Sequence, residues 1–349
     1  MAIKLPRTAV YYCVTGPLLL LCMVAAVGIG STELPWQRIF QVIAAKALPT
    51  LWVDSSGITK ADEVIVWMIR LPRAVVAAFV GAGLAVAGAV MQGLFRNPLA
   101  EPGLAGAGAG AVLGAVIAFV AGWSATAVVS LPACAIAGAL LALVLVYAMA
   151  TRAGITPVST LLLAGIAVSS LLTAVSSLLI SLSIVNWQIA QEIVFWMMGG
   201  LEARTWTHVW LCGPLVALGT FVAMFHAREL DLMQQGEEVA AAFGVDVEST
   251  KRTLIFVAAL LTGASVAVAG SIAFVGLVVP HAVRITLGPS SRTLLPGSAL
   301  GGAIFLLLCD LVARTIHPPT ELRLGVVTAL IGGPLFIWLL VRRYREASA

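Results

Sequence analysis

The sequence predicts an all-α, polytopic membrane protein with about ten transmembrane helices in a single domain over residues 1–349. Three observations carry this expectation. First, hydrophobic residues make up 60% of the chain and charged residues 10%. A water-soluble domain carries about 25% charged residues, so this chain cannot cover its surface with charge, and lipid suits such a surface. Second, a helix crossing a hydrocarbon layer of roughly 30 Å needs about 20 apolar residues. Runs of about that length lie at 8–30, 73–95, 103–121, 125–150, 157–184, 206–226, 253–270, 271–287, 294–313 and 324–342. Third, ten such spans use about 200 residues, which leaves room for loops and none for a large soluble domain.

The first run follows Lys4 and Arg7 and is longer than most signal peptides, so it reads as a membrane helix rather than a leader. Residues 31–69 form a long outer loop before the second run. In the third run Gly106, Gly110 and Gly114 make a four-residue ladder, a spacing that lets helices approach closely in lipid. The fifth run is rich in hydroxyls: Ser169, Ser170, Thr173, Ser176, Ser177, Ser181 and Ser183. Such groups bond between helices or back to the preceding turn. They also suit a weakly polar wall past which a large substrate moves without sticking, with Ser169, Thr173, Ser176, Ser177 and Ser181 as the candidate translocation path. Residues 189–201 are apolar but short and end in Gly199-Gly200, which predicts a half-helix rather than a span. Only Gly270-Ser271 separates the seventh and eighth runs.

With the N-terminus inside, twelve basic residues fall on the inner side and eight on the outer side. This agrees with the positive-inside tendency and puts both termini in the cytoplasm. The outer eight, Arg70, Arg73 and Arg314 among them, are more than topology alone calls for. The net charge of +4 follows from orientation and does not call for nucleic acid. An internal echo joins 70–88 to 252–270: nine of nineteen positions match without gaps, including Gly81/Gly263, Ala85/Ala267 and Gly88/Gly270. These stretches belong to the second and seventh spans, which run in opposite directions, as in an inverted repeat. Shared Ala/Val/Gly composition is the other reading.

Enzyme chemistry has little to stand on. The sequence holds no G-x-x-x-x-G-K-[ST] phosphate loop, no H-E-x-x-H and no G-x-S-x-G. Cys13, Cys22, Cys134, Cys212 and Cys309 lie in apolar runs without metal spacing and read as small hydrophobes. His208, His226, His281 and His317 read as packing or capping residues rather than ligands, so no metal site and no cofactor is expected in this chain. Asp310, near an outer helix end, has Arg314 four residues on as a natural partner.

Several longer phrases carry a resemblance. They are Arg70-Leu-Pro-Arg73, MQGLFRNPLAEPG at 91–103, FVGLVVPH at 274–281, DLVAR at 310–314 and ELRLGVVTALIGGPLFIWLL at 321–340. Together they resemble the FecCD-type permease family of type II ABC importers, which carries cobalamin, ferric siderophores and haem. The resemblance implies a multi-pass permease of the bacterial inner membrane that works as a homodimer. It also implies two cytoplasmic ATP-binding subunits, which hold the ATP and Mg, and a periplasmic substrate-binding protein. The family's docking arginines fall on Arg70, Arg73 and Arg314; lipid-headgroup anchoring is the alternative. In the inner segment 227–252, Glu238, Ala240 and Gly244 form an E-x-A-x-x-x-G pattern similar to the motif that seats importer permeases in a cleft of their ATPase. Of the family's substrates, haem is the first expectation, because MQGLFRNPLAEPG looks most like haem permeases; ferric siderophore and cobalamin follow. An ion-coupled secondary transporter is the rival from another class. It would account for the span count and the echo, but not for the inner motif or the outer arginines.

Overall fold

The computed structural model describes residues 7–30, 32–47, 57–183, 186–318 and 320–347. Within them the regular structure is helical, apart from one isolated bridge between Arg152 and Ile155. Seven helices are long and apolar enough to cross a bilayer. They are α1 (Arg7–Gly28), α4 (Leu71–Leu94, the end of a 35-residue helical run from Lys60), α6 (Ser130–Ala150), α7 (Val158–Ser183), α9 (Trp206–Phe225), α12 (Val247–Ala269) and α14 (Ser291–Thr315). Three further apolar helices complete the ten: α5 (Ala107–Val120), α13 (Val275–Leu287) and α15 (Leu324–Ala347), whose sequence stays apolar to Val341. All ten lie within a few residues of the runs expected from the sequence.

Two expectations need correcting. Of the segment 31–69 expected as a loop, residues 31 and 48–56 lie outside the described residues, and most of the rest is helical. In it α2 (Trp36–Ala47) buries Ile39 and Val42 on one side. A short α3 (Lys60–Glu63) follows, capped reciprocally by Thr59 and Asp62. A wide π-type turn, Val64–Arg70, then runs straight into α4. The glycine ladder also loses a member. Gly106 sits at φ 81 before α5 begins, while Gly110 and Gly114 press against the backbone of Gly138 and Cys134 on α6.

The helices form an inner and an outer set. In α4 and α12 78% of the apolar window is buried, against 17% in α1 and 22% in α7. The two helices of the internal echo are thus the central pillars, and they pack on each other. α14 packs on α4 so closely that a Cβ on Gly81 would overlap the carbonyl of Gly302. α1 lies on α14, with the Tyr11 and Tyr12 hydroxyls donating to Gly297 O at 2.9 Å and Thr293 O at 3.0 Å. The broad apolar faces left uncovered on α7 and α15 include Leu163, Leu182, Leu330 and Ile337.

Candidate functional site

Charged residues gather at the two ends of the helical pillars, and a weakly polar face runs between them. At one end, which the positive-inside reading assigns to the outside, the three candidate docking arginines come together. Arg73 is held by Asp310, with Nη2 at 2.8 Å and Nε at 3.1 Å from Oδ1. It also forks onto Glu321 at 2.8 and 3.1 Å. Arg314 reaches the same Asp310 at 3.2 Å and donates to Ala26 O and Ile29 O at the end of α1. Arg70 donates to Val27 O at 3.1 Å, Gly28 O at 2.9 Å and Thr32 O. The sequence-visible pair Asp310–Arg314 is therefore part of a larger cluster. Three guanidiniums share two carboxylates, leaving one net positive charge. Arg70, whose acceptors are neutral carbonyls, is the arginine without a carboxylate of its own here. All three side chains point inward: Arg70 and Arg73 are buried, and the Arg314 side chain is 7% exposed. The cluster locks α1, α4 and α14 together at the outer rim.

A second outer group forms around α8 (Trp187–Met197), the half-helix expected at 189–201. It ends at Gly199, which has φ 71 and lies against Ser271 O, where a side chain would not fit. Gly200 N donates to Ala269 O at 2.8 Å; Leu324 N donates to Gly199 O and Gly325 N to Met198 O, both at 3.1 Å. These bonds stitch α8 to the end of α12 and the start of α15. Arg323 lies 4.5 Å over the Phe195 ring and pairs with Glu202 at 3.0 Å. Nearby, burial pulls the Arg204 guanidinium down to about 10, Glu202 opposing the shift. His208 is buried in a capping box with Thr205, which gives it a structural task. Ala190 and Ile193 turn inward, so Gln188, Gln191 and Glu192 form an exposed polar face on α8. The sequence reading missed this face, although the 188/191/192 spacing is one helical side.

The hydroxyls of α7 divide. Ser170, Thr173, Ser177 and Ser181 lie on one exposed side at spacings of three and four residues. Ser176 does not belong with them. It is buried and donates back to Leu172 O at 2.8 Å, because it lies on the face that packs against the bundle. Ser169 is half-buried.

At the inner end, residues 227–252 fold into α10 (Ala227–Gln235), α11 (Glu237–Ala242) and the first turn of α12. Asp231 on α10 accepts from Ser291 N at 2.7 Å and so caps α14, a favourable place for a carboxylate. In α11 Ala240 is fully buried while Glu238 points outward. Gly244 adopts φ 83 and ends the helix; Val245 N donates to Ala240 O at 3.0 Å. Between them Phe243 stands 68% exposed, an apolar knob that the sequence pattern did not single out. In the connection from α4 to α5, burial raises the Glu101 carboxyl above the ordinary carboxylate range. Among the described residues no group of three or more His, Cys, Asp or Glu side chains is arranged to hold a metal ion.

Comparison with known proteins identifies the family and the fold. The FecCD transport family model matches residues 18–342. The cobalamin import system permease protein BtuC of Halobacterium salinarum is 45% identical over 324 residues, covering 93% of this chain and 84% of that protein. The hemin transport system permease protein HmuU of Yersinia pestis is 37% identical over 339 residues, covering 95% and 96%. A solved metal-chelate type ABC transporter in an inward-facing conformation superposes with a TM-score of 0.83 at 30% identity, covering 96% of this chain and 99% of its own.

Proposed function

The chain belongs to the FecCD transport family, and from that premise we propose that it is the permease subunit of an ATP-driven importer of metal tetrapyrroles, working as a homodimer in the bacterial inner membrane. The observation that carries the reading is the inner helix pair α10–α11. α11 is short, ends at a left-handed glycine and offers Phe243 and Glu238 outward while Ala240 anchors it. Such an element can be pushed as a rigid body by a motor subunit. The motor in this reading is a separate ATP-binding subunit; residues 1–349 carry no phosphate loop. Two copies of α7, α8 and α15 facing each other would cover their exposed apolar sides and enclose the Thr173, Ser177 and Ser181 face as the path.

Cobalamin leads as the substrate, because the cobalamin permease relative is 45% identical and the hemin permease 37%. Haem, the first expectation from the 91–103 phrase, stands second, supported by a hemin permease relative that aligns with 95% of this chain. Both are metal-bound tetrapyrrole macrocycles, haem the smaller and flatter of the two. On the outer side a binding protein would dock at the rim organised by Arg70, Arg73 and Arg314. Its acidic groups would sense the one surplus positive charge of this cluster as a field at the rim, since Arg70 itself is buried. Co-purification with an ATP-binding subunit, followed by uptake of cyanocobalamin and of hemin in proteoliposomes, tests the reading. Import by this chain alone, driven by a proton or sodium gradient, contradicts it.

A further inference from the structure

Lys251, on the first turns of α12, has a side chain only 2% exposed. An ammonium is seldom buried unless it is paired, and this one meets three oxygens: Glu248 Oε1 at 2.6 Å, Glu237 Oε2 at 3.0 Å and Thr156 O at 2.9 Å. The three acceptors belong to three segments. Glu248 is one turn back on α12, Glu237 is the first residue of α11, and Thr156 stands two residues before α7. The second Glu248 oxygen accepts from Thr156 N at 3.1 Å, so both backbone groups of Thr156 are gripped.

The loop carrying Thr156 is stiff. Ala153 and Gly154, at φ 51 and 78, make a tight two-residue turn. Arg152 and Ile155 exchange both backbone hydrogen bonds at 3.0 Å, and the Thr151 and Thr156 hydroxyls meet at 2.8 Å. Pro157 then leads directly into α7. A force on Thr156 thus reaches α7 with little slack. Direct packing offers no comparable route. A groove of about 600 Å³, lined by Leu94, Phe95, Val158, Glu237 and Val239 among others, lies between α11 and the start of α7.

We infer that Lys251 is a positioning residue that joins the α11 coupling helix to the inner end of α7, so that displacement of α11 moves the helix bearing Thr173, Ser177 and Ser181. The inference rests on the ATP-driven reading above. Glu237 is the link that crosses to α11, and Glu248 holds the loop whether or not that link is intact. Lys251→Met removes the joint, whereas Glu237→Gln weakens only its α11 arm and leaves the Glu248–Thr156 bond in place.

The test uses the permease dimer with its ATP-binding subunits in nanodiscs. Ser159, exposed on the first turn of α7, is replaced by a spin-labelled cysteine in a background where Cys13 and Cys134 are serine. The distance between the two labels is read without nucleotide and with vanadate-trapped ATP. The joint predicts a nucleotide-dependent shift in the parent protein, its loss in Lys251→Met and in Glu237→Gln, and its return in Lys251→Arg. A parent-sized shift in both of the first two variants overturns the inference and leaves the proposed function standing. No shift in the parent protein overturns the proposed function, and the joint with it.

Discussion

Asp310→Asn is the substitution whose cost the structure specifies best. The carboxylate is 1% exposed, accepts three N–H contacts from Arg73 within 3.2 Å and pairs with Arg314. Asparagine keeps the shape and removes the charge, leaving two inward-facing guanidiniums with only Glu321, which touches Arg73 and is 31% exposed. Removing one partner of a buried ion pair costs about 3–5 kcal/mol. With the unfolding entropy per residue of globular proteins, that corresponds to a fall of about 4–7 °C in the unfolding midpoint. Glu321→Gln, at the wetter end of the same cluster, should cost about 1 kcal/mol or less and shift the midpoint by under about 2 °C. A fluorogenic thiol dye in detergent provides the assay, because Cys22, Cys212 and Cys309 are buried and react only once the bundle opens. Equal shifts for the two variants would refute the reasoning, since they would mean that water screens Asp310 as well as Glu321.

Three further outcomes follow from the same geometry. Gly244→Trp and Glu238→Arg should each abolish transport: Glu238 is exposed, so its reversal acts on a partner surface and keeps the thermal midpoint, whereas a side chain at Gly244 meets open space but strains a left-handed turn at φ 83, which costs about 1–2 kcal/mol of stability. Normal uptake by both variants would remove α11 from the motor contact. Arg70→Gln removes the surplus positive charge of the cluster from a buried position, so it should weaken binding-protein docking in nanodiscs modestly and flatten its salt dependence, because the lowered field at the rim slows encounter and is screened by salt; an unchanged affinity and salt slope would make Arg70 a structural clamp alone. Glu101→Gln should stabilise the protein at neutral pH. Burial raises this carboxyl, so its ionised form carries a folding cost above the raised value, and that cost fades as pH falls through it. The gain should therefore shrink toward acid pH; a gain that is the same at every pH would locate its cause elsewhere.

The membrane fold was largely legible, because each span is a run of about 20 apolar residues and Gly199-Gly200 marked the half-helix. α2 was not, since Gln37, Arg38, Gln41 and Lys46 interrupt the apolar run and only one side of the helix is buried. Local pairs could be read and distant ones could not: Asp310 and Arg314 are four residues apart, whereas Arg73 meets Asp310 across 237. Lys251 looked like one more inner-side charge until the fold brought Thr156 and Glu237 to it. The α7 hydroxyls read as a single weakly polar wall, but neighbouring positions such as Ser176 and Ser177 differ by about 100° around a helix, so the wall divides between an exposed and a packed side.

The most direct test of the central claim is the energy source for uptake. The permease is reconstituted with its ATP-binding subunits and binding protein, and cyanocobalamin is supplied outside sealed vesicles. The account predicts accumulation that requires ATP inside the cytoplasmic compartment, persists when proton and sodium gradients are collapsed, and is lost in Gly244→Trp. Accumulation without ATP, driven by an ion gradient and insensitive to Gly244→Trp, would contradict it.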